Sequence, residues 1–209
     1  MIKEPMLSTI DASTRYGGLL ICGTNYGLAP GAVSEHEVPF KPWGEYFTHQ
    51  TNKEKDKFVS RLTKWFEWWY ISLENAGHPT ELNRAISQTN LFYDSSKLFD
   101  LREPHEMEWA FNRLKQNAVR LNVSGILITS AKTVEHAKKH LDIPEWRYVT
   151  SGRFWIGIAA SSFRVVVCPH PTSPQSRNDV DRVGLEMRTW ISETLEMYRT
   201  KQAEKGGCE

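Results

Sequence analysis

The stretch Gly18-Leu19-Leu20-Ile21-Cys22-Gly23-Thr24-Asn25-Tyr26-Gly27 decides the fold, because its apolar run passes directly into a polar loop. Such a run predicts a buried strand over residues 18–22. A similar stretch follows about 145 residues later, where Phe163-Arg164-Val165-Val166-Val167-Cys168 leads into Pro169-His170-Pro171-Thr172-Ser173-Pro174. Sites in parallel α/β sheets form at the carboxyl ends of strands, so we expect Asn25 and His170 to face one crevice.

Between these two stretches, the apolar pattern alternates between strands and helices. Further strands are predicted at residues 84–89, 125–129 and 154–159. Helices are predicted at residues 55–76, 104–121, 133–141 and 179–201. This alternation is typical of an α/β protein with three layers, α/β/α, around a central and mostly parallel sheet of about four strands.

Two predicted helices carry long apolar stripes. The first contains the aromatic cluster Trp65-Phe66-Glu67-Trp68-Trp69-Tyr70, whose rings invite an interpretation as a base-stacking surface. We interpret the cluster instead as a core stripe with some rings at its margin, because the apolar residues recur at helical spacing. The stripe of this helix is formed by Phe58, Leu62, Trp65, Trp69 and Leu73, and that of the last helix by Val183, Met187, Trp190, Ile191, Leu195 and Tyr198.

Length and composition indicate an ordinary globular protein. The chain has 209 residues, of which 40% are hydrophobic and 24% charged, and its formal net charge is +1. These values suit a single domain over residues 1–209, with a core at about 17–200 and a polar tail at 202–209. A net charge near zero does not exclude a polyanionic partner, because a local basic stripe is sufficient.

Cysteine spacing and the lack of long apolar segments limit the function classes further. The three cysteines are far apart and form no Cys-x-x-Cys pair, so we expect no metal site and no cofactor. No apolar run approaches the roughly 18 residues of a membrane span, and no secretory signal is recognised. We therefore expect a cytoplasmic protein with no membrane partner. Separately, we expect a monomer.

Several common catalytic signatures are missing from the sequence. No Gly-x-Gly-x-x-Gly follows the first strand, no Gly-Lys-Ser/Thr follows Gly23 or Gly27, and no Gly-x-Ser-x-Gly occurs. Polar residues at strand ends remain as candidates: Asn25, Asn90 and His170. Each also has a structural interpretation, since Asn is common in turns and a His between two prolines can simply form a rigid turn.

These residues, taken in order, resemble the uracil-DNA glycosylase superfamily, in particular its single-strand-selective monofunctional branch and then its mismatch-specific branch. The family's Gly-x-Asn-Pro-Gly is similar to Gly23-Thr24-Asn25-Tyr26-Gly27, although Tyr26 replaces the proline. The aromatic motif is similar to Val38-Pro39-Phe40, and the second-strand motif to Gln88-Thr89-Asn90-Leu91-Phe92. The final His-Pro-Ser motif resembles His170-Pro171-Thr172-Ser173-Pro174, which contains one extra residue.

The resemblance implies a monofunctional glycosylase that hydrolyses the N-glycosidic bond of a base flipped out of DNA. Asn25 and His170 would be catalytic: Asn25 orients the attacking water, and His170 stabilises charge on the departing base. Phe40 would stack on the base, and the Asn90 amide would read its pyrimidine edge.

The remainder of the implied base pocket comes from the first loop. Gly23, Thr24, Tyr26 and Gly27 would surround the base. In uracil-selective relatives a bulky aromatic at the position of Gly27 crowds the pyrimidine 5-position. Glycine has no side chain to crowd the 5-position, so it predicts that 5-substituted pyrimidines are accepted. The enzyme would then act either in DNA repair or in defence against modified foreign DNA.

DNA contacts are expected in the loops that follow the strands. Lys132, Arg153 and Arg177 would approach phosphates, and Ser130 and Ser173 would add neutral contacts. The loop at residues 172–178 is the candidate for probing the duplex. Two other interpretations stay open: a non-catalytic module that binds modified bases on the same fold, and an unrelated α/β domain with similar short motifs.

Overall fold

The computed structural model describes residues 18–24, 57–70, 85–92, 102–150, 153–160 and 163–206. Within these ranges the chain forms an α/β fold with a six-stranded mixed sheet in the order β2-β1-β3-β6-β5-β4. The strands are β1 (Leu19–Gly23), β2 (Ile86–Asn90), β3 (Gly125–Ile128), β4 (Trp146–Thr150), β5 (Phe154–Ile158) and β6 (Arg164–Val167).

The sheet has a parallel part and an antiparallel part. Strands β2, β1, β3 and β6 are parallel neighbours, whereas β5 pairs antiparallel with both β6 and β4. The prediction of about four mostly parallel strands is therefore correct for the first part only. It missed β4 and the hairpin that β4 forms with β5, because residues 146–150 lack the continuous apolar run of a buried strand.

Five α-helices are described, together with a short 3₁₀ helix at Ala131–Thr133. They are α1 (Lys57–Trp68), α2 (Pro104–Arg120), α3 (Val134–His140), α4 (Arg177–Asp181) and α5 (Gly184–Gly206). The start of α2 follows from its sequence: Pro104 occupies the first turn, and Glu106 accepts the main-chain N–H of Glu103 at 2.8 Å in a capping box.

Helices cover both faces of the sheet and produce the predicted three layers. Successive residues of β1 point to opposite faces, so Leu19 and Ile21 join one apolar cluster while Leu20 and Cys22 join the other. The first cluster contains side chains of α1, α4 and α5, and the second contains side chains of α2 and α3. A strand buried on both faces explains why β1 is apolar throughout.

The aromatic stripe of α1 lies mainly in the core. Trp65, Phe66 and Trp69 are buried, and the Trp69 ring N–H donates to the carbonyl of Val180 at 2.8 Å. Tyr70 is exposed, in keeping with rings at the margin of the stripe. The interpretation of this cluster as core rather than a base-stacking surface is thus confirmed for the described residues.

Two predicted helices differ from the structure. Helix α1 ends at Trp68 instead of residue 76, because Tyr70 adopts a left-handed backbone with φ of 57° that ends the helix. The last helix is divided: Ser176 caps α4 by accepting the N–H of Asp179 at 3.1 Å, and α5 begins after a break at 182–183. Leu73, Leu195 and Tyr198 of the predicted stripes lie outside the described residues or side chains.

Within the described ranges, none of the helices has the length and apolarity needed to span a membrane.

Candidate functional site

The ends of the four parallel strands lie side by side at one edge of the sheet, called here the carboxyl edge. Gly23 on β1 is the register partner of Asn90 on β2. The hydrogen-bond ladder continues past the strands, because the N–H of Thr129 donates to the Cys22 carbonyl and that of Cys168 donates to the Ile128 carbonyl, both at 2.9 Å. Asn90 ends its strand at this edge, and His170 closely follows the end of β6 there.

The Asn90 side chain leans from β2 across β1. A Cβ atom on Gly23 would overlap Oδ1 of Asn90, so the amide occupies the space that a side chain at position 23 would need. Asn90 is buried, yet it lies at the end of its strand. A side chain at position 23 would therefore displace this amide, whereas glycine lets the amide lie against β1.

Two buried arginines stabilise the end of β2, and sequence reasoning did not identify either of them. Arg113 of α2 donates through its guanidinium to the carbonyl oxygens of Asn90 and Leu91. Arg102 stacks on the ring of Phe92, with its guanidinium carbon 4.2 Å from the ring centroid. Arg113 therefore holds a positive charge at the main chain of Asn90, whereas Arg102 is paired with Glu106 at 3.5 Å.

The contacts of Nδ1 favour one tautomer of the His170 ring. Its Nδ1 lies 2.7 Å from Oγ1 of Thr172 and accepts the main-chain N–H of Thr172 at 3.3 Å. An N–H group can only donate, so Nδ1 is the acceptor and the neutral ring carries its proton on Nε2. The loop is closed further by the Ser173 N–H, which donates to the His170 carbonyl at 2.8 Å.

Asn90 and His170 lie at the two outer strands of the parallel part, β2 and β6, along the carboxyl edge. Three inter-strand spacings of about 4.8 Å separate β2 from β6, which places these two strand ends roughly 14 Å apart. The His170 ring also packs against Phe58 of α1, with ring centroids 5.2 Å apart. The structure thus brings the amide and the imidazole to one edge, with Gly23 between them.

Three of the predicted DNA-contacting residues, Ser130, Lys132 and Ser173, follow strands that end at this edge. Ser130 directly precedes the 3₁₀ helix that contains Lys132. Its carbonyl accepts the main-chain N–H of Thr133, the last residue of that helix. Ser173 lies in the loop after His170, and Arg177 forms an ion pair with Asp181 at 3.4 Å.

The first-loop candidates are described only in part. The Thr24 carbonyl accepts the Phe92 N–H at 2.9 Å, which extends the pairing of β1 with β2. The predicted site residues Asn25, Tyr26, Gly27 and Phe40 lie outside the described residues.

The two described cysteines act as neutral donors at this edge. Burial raises the pKa of Cys22 to about 12, and the nearby charge of Arg113 offsets only part of the rise. Burial also raises the pKa of Cys168. Their thiols donate to the carbonyls of Gly23 and Ile128 at 3.4 and 3.6 Å, so neither is a reactive thiolate.

A shallow depression lies on a different part of the molecule. It is lined by Lys138 and Asp142, which lie at the end of α3, and by Ala160, which follows β5. Since β5 runs antiparallel to β6, this depression lies at the edge opposite His170. Among the described residues, no group of three or more His, Cys, Asp or Glu side chains is placed to hold a metal ion.

No protein-family model matches the chain, and a comparison with curated protein sequences finds no match either. The resemblance to uracil-DNA glycosylases therefore depends on the ordered motifs of the sequence.

Proposed function

We propose that this protein is a monofunctional DNA glycosylase, which hydrolyses the N-glycosidic bond of a flipped pyrimidine in DNA. The observation that carries the proposal is the shared carboxyl edge of Asn90 and His170, with the Asn90 amide leaning over Gly23 of the neighbouring strand. The ordered motifs of the sequence support the same conclusion.

His170 would stabilise the departing base. Cleavage of the glycosidic bond places negative charge on a pyrimidine carbonyl oxygen, and a fixed donor aimed at that oxygen lowers the barrier. The proton on Nε2 suits this task, because Thr172 occupies Nδ1 and leaves the donor on the far side of the ring. The buried charge of Arg113 behind Asn90 adds a favourable potential for an anionic base.

Asn90 would select the base and Asn25 would place the water. An amide offers both a donor and an acceptor, which match the alternating edge of a pyrimidine. Asn25 cannot take up a proton at neutral pH, so its proposed role is to orient the water rather than to act as a general base. Asn25→Asp should therefore raise the single-turnover rate, by up to about 10²–10⁴-fold. An unchanged rate would contradict this role.

The proposed substrates are uracil-like, damaged or 5-modified pyrimidines. Gly27 lacks the side chain that would exclude a 5-substituent, and Phe40 would stack on the flipped ring. The rate of removal of 5-hydroxymethyluracil should therefore match or exceed that of uracil. Exclusive action on uracil would contradict the proposed role of Gly27.

The test is a set of oligonucleotides that each carry one modified base. The protein is incubated with each oligonucleotide, alkali then cleaves any abasic site, and the products are separated by length. His170→Asn should slow single-turnover cleavage by about 10²–10³-fold. The matched control is His140→Asn, since His140 closes α3 and packs against Phe111 rather than the carboxyl edge.

A non-catalytic module on the same fold would give a different result. It would bind oligonucleotides containing a modified base or an abasic site without producing new abasic sites. Equal activity of His170→Asn and His140→Asn would also contradict the proposed mechanism.

A further inference from the structure

Helix α1 has a basic outer face as well as a buried aromatic one. Lys57, Arg61 and Lys64 are exposed and follow one another at helical spacing, so they form one row along the helix, called here the basic row. Residues of the inner face, such as Leu62 and Phe66, are fully buried in the core. The basic row therefore points outward from a helix that the core holds in place.

The basic row begins beside the candidate site. Phe58, the second residue of α1, packs against the His170 ring with centroids 5.2 Å apart. Lys57 directly precedes Phe58, and the row extends from there over about 10 Å of the helix to Lys64. Positive charge is thus placed next to the loop that contains His170.

Carboxylates do not neutralise the basic row among the residues that the structure describes. Helix α1 contains three basic residues and one acidic residue, Glu67. No ion pair within the described ranges includes Lys57, Arg61 or Lys64. By contrast, four basic side chains elsewhere are paired with carboxylates: Arg102, Lys115, Arg147 and Arg177. The row therefore offers its charge to an anionic partner.

We propose that Lys57, Arg61 and Lys64 form a phosphate-binding surface for duplex DNA, in which the basic row follows the backbone of one strand beside the candidate site. Phosphates of one strand in B-DNA lie about 3.4 Å apart along the helix axis, so a row of about 10 Å spans about three of them. Delivery of a base from that strand to His170 rests on the proposed function, whereas the backbone contact does not.

The surroundings of the basic row favour duplex DNA over other polyanionic partners. A helix that binds a membrane surface inserts a free apolar face, but the apolar face of α1 is occupied by the core. Single-stranded DNA is bound through stacking on aromatic rings as well as through charge. The two rings at the far end of the row, Trp68 and Tyr70, already contact Lys64 and Arg188. Contacts with phosphates alone are therefore expected, as on the outside of a duplex.

The salt dependence of binding to unmodified duplex DNA tests this surface without any base removal. The probe is a short duplex with a fluorescent label, and the readout is fluorescence anisotropy with the full chain at increasing salt. Each lost phosphate contact reduces the slope of log affinity against log salt by about 0.9. Replacing Lys57, Arg61 and Lys64 together by glutamine should therefore reduce the slope by about 2.7. Arg61→Lys keeps the charge and should keep the slope.

The matched control removes three exposed positive charges from the opposite edge of the sheet. Lys138 and Lys139 line the depression at that edge, and Arg164 is the first residue of β6. Their joint replacement by glutamine changes the net charge by the same amount and should leave the slope unchanged. Urea denaturation checks that both triple variants are folded.

The assignment would be overturned if the unaltered protein does not bind the duplex at low salt, or if both triple variants reduce the slope equally. It would also be overturned if the α1 variant keeps its slope on DNA but no longer binds vesicles that contain phosphatidylserine, because the partner would then be an anionic membrane. Failure of the proposed glycosylase is distinguishable, since alkali would leave every modified oligonucleotide intact while the α1 variant alone still loses salt dependence on the duplex.

Discussion

The parallel part of the sheet and the β4–β5 hairpin differ in how deeply they are buried and in which residues they present. The parallel strands are buried on both faces, and their ends place Gly23, Asn90 and the loop of His170 at one edge. The hairpin has one partly open face and carries Tyr148 and Trp155 on it. The parallel part therefore positions the candidate residues, while the hairpin extends the sheet and leaves an aromatic face partly open.

The largest effect that would test this division is expected at Arg113. Arg113→Met removes a charged donor to the Asn90 and Leu91 carbonyls, which are buried acceptors at the end of β2. We expect the free energy of unfolding to fall by about 3–5 kcal/mol, since each charged hydrogen bond contributes about 1.5–3 kcal/mol. Urea denaturation measures this loss.

Arg120→Met on the same helix is the control for Arg113. Its guanidinium donates to Asn117 at the exposed surface, so the loss should stay within about 0.5 kcal/mol. Equal losses in the two variants would show that the carboxyl edge does not depend on the buried guanidinium.

Sequence could predict the parallel part because its signals are local. Apolar runs that end in polar residues predict by themselves that Asn90 and His170 lie at strand ends, and the structure has Asn90 as the last residue of β2 and His170 three residues after β6. Arg113 could not be found in this way, because it is one polar residue in an amphipathic helix and only the fold brings it under β2. The signal that could have suggested it is a charged residue at a position on the buried face of that helix.

The β4–β5 hairpin was not predicted, because the sequence of β4 carries only a weak apolar pattern. Residues 146–150 mix an arginine and a threonine with three apolar residues, and the strand lies at the edge of the sheet. Burial imposes little pattern on such a strand, so periodicity gives no clear signal. The left-handed turn at Tyr70 was missed because non-glycine residues seldom adopt that conformation.

Two glycines offer a paired test of the comparison. Gly23→Ala would push the Asn90 amide, which is the movable end of a side chain, so stability should change by only about 1 kcal/mol. Displacing this amide should nevertheless slow base removal about a hundredfold, because misplacement by about 1 Å is that costly.

Gly157→Ala in β5 should show the reverse pattern. A Cβ there would overlap the side chains of Ile143 and Trp146 and crowd the Glu145 carbonyl. We expect a loss of about 1–3 kcal/mol in the free energy of unfolding, with the cleavage rate per folded molecule kept within a few-fold. Thermal or urea unfolding and single-turnover assays on both variants measure the contrast, and parallel losses in both assays would contradict it.

The next effect is a pH dependence confined to the parallel part, where Cys22 and Cys168 lie. Burial raises the pKa of Cys22 to about 12 and that of Cys168 in the same direction. Unfolded thiols ionise near pH 8.5, so the unfolded chain releases protons that the folded protein retains. Stability should be complete below about pH 8.5 and should fall as the pH rises toward the folded pKa, by up to about 1.4 kcal/mol per pH unit and thiol.

Urea unfolding between neutral and alkaline pH measures this slope in a Cys208→Ser background. Replacing Cys22 by serine removes one titrating thiol and should make the slope shallower, whatever the change in absolute stability. An unchanged slope would show that other groups dominate the alkaline loss.

The smallest effect concerns the tether of His170. Thr172→Val removes the hydroxyl that lies 2.7 Å from Nδ1 but leaves the main-chain N–H that also points to this nitrogen. The Nε2-protonated tautomer should stay dominant, and its population should decrease measurably in nitrogen NMR spectra of labelled histidine. Base removal should slow about fivefold, the equivalent of one net hydrogen bond of about 1 kcal/mol.

Two further variants separate the tether from a general loss of a hydroxyl. Thr172→Ser should restore the rate, and Thr189→Val, which loses a hydroxyl bonded within α5 at 2.8 Å, should leave it unchanged. Equal rates in Thr172→Val and Thr189→Val would contradict the tether, because they would show that the contact with Nδ1 contributes nothing beyond an ordinary hydroxyl.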